Sequence, residues 1–136
     1  MQALWANDAA EYHGTYYDFP PVRSFPRPVQ QPHPPILLGG VAQHVFKRIV
    51  AYGNGWIPTR STPELIQQGR AILNELAAEA GRDPTSLTVL AYLAPTDRTV
   101  LQELSDAGAD GAVVRIEGAS EAEALVALEQ TAQQVL

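Results

Sequence analysis

From residue 35 onward the apolar positions fall into a repeating rhythm. Ile36 to Leu38 form a short run that stops at Gly39 and Gly40. Val41, Val45, Phe46, Ile49 and Val50 then recur at helical spacing, which predicts a strand and a helix. Gly53 and Gly55 close that helix, and Gly55 to Pro58 is a second short apolar segment stopped by proline. Ser61 with Glu64 three residues later reads as a capping box, and Pro63 suits a first helical turn. Leu65, Ile66, Ile72, Leu73 and Leu76 carry the stripe on to Gly81 at the C-cap. Leu87 to Leu93 is nearly continuous in apolar residues, the pattern of a strand buried on both faces. Val100, Leu101 and Leu104 predict the next helix, ending at Gly108, and Ala112 to Ile116 a fourth strand. Ser120 and Glu123 make another capping box. Leu125, Val126, Leu128, Ala132 and Val135 supply the buried stripe of a last helix.

The first 34 residues lack this rhythm. Seven of the 11 prolines lie between Pro20 and Pro35, a stretch that suits neither helix nor central strand. It reads as an extended connector. Met1 to Ala10 looks like the end of a helix, and Glu11 to Phe19, with Tyr12, Tyr16, Tyr17 and Phe19 around Gly14, like a hairpin. Residues 1–34 are therefore helix end, hairpin and Pro-rich connector, and residues 35–136 four βα units, together one domain.

Four consecutive βα units imply an α/β fold with parallel strands and right-handed crossovers, either an open doubly wound sheet or part of a TIM (β/α)8 barrel. A barrel takes about 250 residues, so 136 residues with four units is the length of a C-terminal half. Met1 falling within helix-like sequence, with no N-cap ahead of it, adds the expectation that a further half lies upstream.

Composition narrows the chemistry. Hydrophobic residues make up 46% and charged residues 18%, as in ordinary globular domains. The absence of cysteine removes disulfides, thiolate metal sites and a Cys nucleophile. A net charge of −6 argues against nucleic acid as a partner. No apolar run has the length of a membrane span and the start is no signal peptide, so a cytoplasmic chain with no membrane partner is expected. His13, His33 and His44 have no companion ligands at metal-binding spacing, so no metal is expected. Gly-x-Ser-x-Gly does not occur, and Glu75, Glu79, Glu121 and Glu123 read as helix surface and caps.

The sharpest feature is Gly39–Gly40. A backbone without Cβ at the end of a parallel strand, opening into a helix, lets bare N–H groups reach a phosphate where the helix dipole favours an anion. The same pair also suits a tight βα turn with no ligand. Trp56, within the next strand, either walls a pocket or belongs to the core. Arg60, at that strand's end, either meets an anionic cofactor tail or is simply solvated.

One family unites these features. Glu11 to Phe19 around Gly14, the Pro26-Arg27-Pro28-Val29-Gln30 connector, Pro34-Pro35 leading through the strand to Gly39-Gly40, and Gly53-Asn54-Gly55-Trp56 follow in that order. The sequence resembles the C-terminal half of the luciferase-like monooxygenases, most of all the branch using the deazaflavin coenzyme F420. The resemblance implies strands five to eight of a (β/α)8 barrel and an oxidoreductase whose cofactor, F420 or FMN, carries the chemistry on a small-molecule substrate. It also implies a cofactor phosphate held by Gly39, Gly40, Val41, Ala42 and Gln43, with Trp56 and Arg60 as further cofactor contacts; no catalytic side chain is assigned. Two departures stand out. Asn54 replaces the family's Asp, and the first four strands are absent. An alternative is an inactive barrel fragment that self-associates through exposed strand edges. A homo-oligomer, or a partnering N-terminal half-barrel, is expected in either case.

Overall fold

The computed structural model describes residues 1–135, which form two compact units, Met1–Pro35 and a second beginning at Ile36. The first holds helix α1 (Gln2–Ala6) and a two-stranded antiparallel ribbon of β1 (Ala10–His13) and β2 (Asp18–Val22). The helix thus ends earlier than Ala10, which instead opens β1. The ribbon also runs past Phe19 to take in Pro20 and Pro21, residues tolerated there because a two-stranded ribbon leaves each strand an unpaired edge. His13 Nδ1 meets Asp18 Oδ1 at 2.6 Å across the ribbon, and Tyr12 stacks on Phe19 with centroids 6.1 Å apart. The connector folds back on α1: His33 packs against Trp5 at 5.8 Å and its Nε2 lies 3.1 Å from Gln2 Nε2.

The second unit is four βα repeats. Strands β3 (Leu37–Leu38), β4 (Gly55–Trp56), β5 (Thr88–Tyr92) and β6 (Gly111–Val113) pair in that order, all parallel. Helices α2 (Gln43–Tyr52), α3 (Pro63–Glu79), α4 (Arg98–Asp106) and α5 (Glu121–Val135) follow them, with a 3-10 turn at Pro84–Ser86 before β5. Register aligns Leu38, Trp56 and Val89 in one row. Side chains alternate across a strand, so this row and Ala91 face the helices, where Phe46, Ile49, Ile66, Leu73, Ala77 and Leu104 complete the core.

The helices of this unit pack on that face. Thr88, Leu90 and Tyr92 project from the other side of β5, and Tyr92 is 38% exposed, so β5 is not sealed on both faces as its apolar run suggests. Strands β3 and β6 each have a single neighbour. The stripe of α5 is likewise not buried, although the helix packs against α4. Leu125, Val126 and Leu128 remain about half exposed.

Local chemistry fixes the helix ends. At α3 the cap is Thr62, whose hydroxyl accepts from Leu65 N, and not Ser61, which exchanges hydrogen bonds with the backbone of Tyr92. The Ser120–Glu123 box forms: Glu123 Oε2 accepts from Ser120 N at 3.2 Å and Ser120 Oγ from Glu123 N at 3.4 Å. Helix α3 closes with Arg82 N donating to Ala77 O and Gly81 N to Ala78 O, one residue beyond the Ala80 cap.

A dense polar network occupies the N-terminal end of the sheet. Arg70 donates to Leu87 O, Gly108 O and Asp110, and Asp110 Oδ2 in turn accepts from Val89 N at 2.7 Å. Arg82 donates to Ile49 O and Val50 O at the end of α2, where the helix dipole favours a cation. Asn54 Oδ1 accepts from Ile36 N at 2.9 Å, so Asn54 joins two strand starts as a neutral acceptor.

Candidate functional site

The opposite end of the sheet is built differently. Strand β3 makes its last ladder bond where Leu38 O accepts from Ile57 N at 3.0 Å, and the chain then leaves the sheet through Gly39 to Ala42. Gly40 has φ of +100°, which side-chain-bearing residues rarely adopt. A Cβ on Gly39 would lie 3.3 Å from Ile57 O. Helix α2 begins at Gln43 with Ala42 as its cap, a residue with no side-chain acceptor. Thr62, Asp97 and Ser120, by contrast, cap the helices that follow. Among the described residues, the amides of Gly39, Gly40, Val41, Ala42 and Gln43 have no hydrogen-bond acceptor. Five consecutive N–H groups at a strand's carboxyl end, four of them on exposed residues, are thus left without a protein acceptor among the described residues.

Arg60 lies exposed just past β4, at the same end of the sheet, with no ion pair among the described residues. Trp56 is placed otherwise than as a pocket wall. It is 0% exposed, faces the helix layer, and tilts against Phe46 with centroids 5.2 Å apart. Strand alternation and register decide this, since Trp56 shares its row with Leu38 and Val89. Its indole Nε1 donates to Gly40 O at 2.6 Å, so it reaches the loop from behind.

Two features of this end escape the sequence reading. Ser61 ties the β4 loop to Tyr92 at the end of β5, and Leu93 holds φ of 52°, the one non-glycine residue with positive φ among those described. No spacing rule announces a bond across 31 residues. The three histidines do not converge: His13 and His33 serve the first unit and His44 is exposed. Among the described residues no cluster of His, Cys, Asp or Glu could hold a metal, and no helix is long and apolar enough to cross a membrane.

Comparison with known proteins agrees with the motif reading. Residues 1–127 match the family described as luciferase-like monooxygenase, and the chain belongs to that family. An uncharacterised protein of Mycobacterium tuberculosis is 34% identical over 131 residues, covering 86% of this chain and 45% of that protein. The chain therefore spans less than half the length of this relative. The coenzyme F420-dependent tetrahydromethanopterin reductase of Methanopyrus kandleri superposes with a TM-score of 0.57 at 25% identity, over 72% of this chain and 29% of the reductase. An F420-dependent secondary alcohol dehydrogenase shares the fold at a TM-score of 0.55 and 20% identity, over 74% of this chain and 32% of its own.

Proposed function

We propose that this chain is the cofactor-phosphate-holding part of a cytoplasmic luciferase-like oxidoreductase acting on a small molecule, with coenzyme F420 or FMN as cofactor. Its four βα units correspond, in this reading, to the C-terminal half of a (β/α)8 barrel. One observation carries it: the unbroken row of amides from Gly39 to Gln43, without a protein acceptor among the described residues, at the carboxyl end of β3, where barrel enzymes and helix N-termini both favour an anionic ligand. The residues suit the group. Glycines let a phosphate approach the main chain, the α2 dipole attracts it, and exposed Arg60 at the neighbouring strand end supplies a mobile positive charge. When bound, the cofactor supplies hydride transfer or oxygen activation. The protein's task is to anchor the phosphate and so fix where the reactive ring lies.

The uncovered face of β5, the unpaired edges of β3 and β6, and the half-exposed stripe of α5 favour completion of the sheet by four further strands. A second copy of this chain or a separate N-terminal half-barrel would supply them. The alternative reading, a self-associating fragment without activity, shares this surface and differs only in binding no cofactor. Fluorescence titration of FMN and of F420 against the chain, with molar mass followed by light scattering, separates the two. The expected result is binding of one cofactor by a paired species, weakened by competing inorganic phosphate. A paired species that binds neither would reject the oxidoreductase reading in favour of the fragment.

A further inference from the structure

We infer that Trp56 is a positioning residue that aims the Val41 amide at the ligand by holding the Gly40 carbonyl inward. This rests on the reading of the Gly39–Gln43 loop as an anion site and goes beyond it by naming what sets the loop's direction.

The Gly40–Val41 peptide is trans, since the two cis bonds among the described residues are Phe25–Pro26 and Gln31–Pro32. In a planar trans peptide the C=O and the following N–H point in opposite directions. Gly40 O accepts from Trp56 Nε1 at 2.6 Å, on the buried helix side of the sheet. Val41 N–H is thereby turned away from the core, and it has no acceptor among the described residues. The φ of +100° at Gly40 is what lets the chain present its carbonyl to the indole and still enter α2.

The indole is itself immobilised. Phe46 of α2 tilts against it at 5.2 Å, and α3 carries a glycine at the point of contact. A Cβ at Gly69 would lie 2.1 Å from Trp56 Cζ3 and 2.3 Å from Cη2. Glycine inside a 17-residue helix lowers helix stability, so its presence there is accounted for by the ring it admits. Phe46 and Gly69 thus pack against the indole while the Gly40 carbonyl accepts its N–H.

The test separates packing from aim. Trp56→Phe keeps an aromatic ring in the core and removes the N–H. Cofactor affinity is measured by fluorescence titration of FMN and F420, and the Val41 amide is followed by 15N–1H NMR during titration with inorganic phosphate. The unsubstituted chain should show slow exchange of the Trp56 indole proton and a phosphate-induced shift at Val41. In the variant, still melting cooperatively, affinity should fall about tenfold, the loss of one hydrogen bond to a charged group, and the Val41 shift should disappear. Equal affinity in a folded variant would overturn this inference and leave the cofactor site standing. No binding by the unsubstituted chain would remove the site and this inference with it. If the variant does not fold, the unsubstituted chain decides. An indole proton at Trp56 that exchanges as fast as that of Trp5, or a Val41 amide unmoved by phosphate, would overturn it.

Discussion

The two ends of the four-stranded sheet use the same kinds of group to opposite effect. At the N-terminal end, the Arg70 and Arg82 guanidiniums, the Asp110 carboxylate and the Asn54 amide are all engaged with main-chain groups of other elements. At the C-terminal end, the amides of Gly39 to Gln43 have no acceptor and Arg60 has no ion pair among the described residues. Both ends belong to the same parallel sheet, so the contrast is one of occupancy and not of architecture. Polar groups satisfied internally hold the fold, whereas groups left open at a strand's carboxyl end are available to something else.

The largest effect is expected from breaking the occupied end. Arg70 is 17% exposed in its side chain and bonds the carbonyls of Leu87 and Gly108 together with the Asp110 carboxylate. Arg70→Ala strips these acceptors of their donor and should cost about 3 kcal/mol in urea unfolding, with cofactor affinity within about twofold of the parent. A loss of binding matching the loss of stability would mean that the two ends are not separable. The open end should answer in reverse. Gly40→Ala forces φ of +100° on an L side chain, whose Cβ would also lie 3.3 Å from Val45 Cγ2. It should cost about 1 to 2 kcal/mol in stability and weaken cofactor binding about tenfold, read by the same unfolding and fluorescence titrations. A variant that loses stability but binds as before would remove the loop from the site.

The open end was the more legible of the two. Gly39–Gly40 after an apolar run, followed by helical periodicity, is a local signal, as is the Ser120–Glu123 box. The occupied end depends on Arg70 meeting Asp110 across 40 residues, which no single-sequence pattern contains. Ser61 and Thr62 both suit an N-cap, and the tie from Ser61 to Tyr92 decides between them. The orientation of Trp56 was hidden because its strand is two residues long, too short to display alternation. The available clue was Gly69, a glycine inside a strong helix pattern, which signals a bulky neighbour. The half-exposed stripe of α5 shows a further limit: periodicity reports which face is apolar, and only tertiary structure reports what covers it.

The smallest effect tests whether the contrast is electrostatic in a general sense or confined to the loop. Asp83, in the turn before β5, and Glu64, in the first turn of α3, sit at opposite ends of the sheet. Both have pKa values lowered by hydrogen bonds: Asp83 by the Thr85 amide and hydroxyl, Glu64 by a main-chain amide and the Thr62 hydroxyl. A carboxylate whose folded pKa is depressed contributes stability that is fully present above its unfolded value. That stability is lost as pH falls through the folded one. The loss should therefore begin near the ordinary values, 4.5 for Glu64 and 3.8 for Asp83, and complete below them. Asp83→Asn keeps an acceptor for Thr85 but no charge, so it should be slightly less stable than the parent at neutral pH. The difference should shrink toward zero as the parent's Asp83 protonates. Urea midpoints of both chains between pH 7 and pH 3 measure it, and a difference constant across that range would show that charge at Asp83 contributes nothing. Because Asp83 belongs to the occupied end, cofactor affinity at neutral pH should be the same in both chains. A weaker Asp83→Asn would show that charge at one end of the sheet is felt at the other.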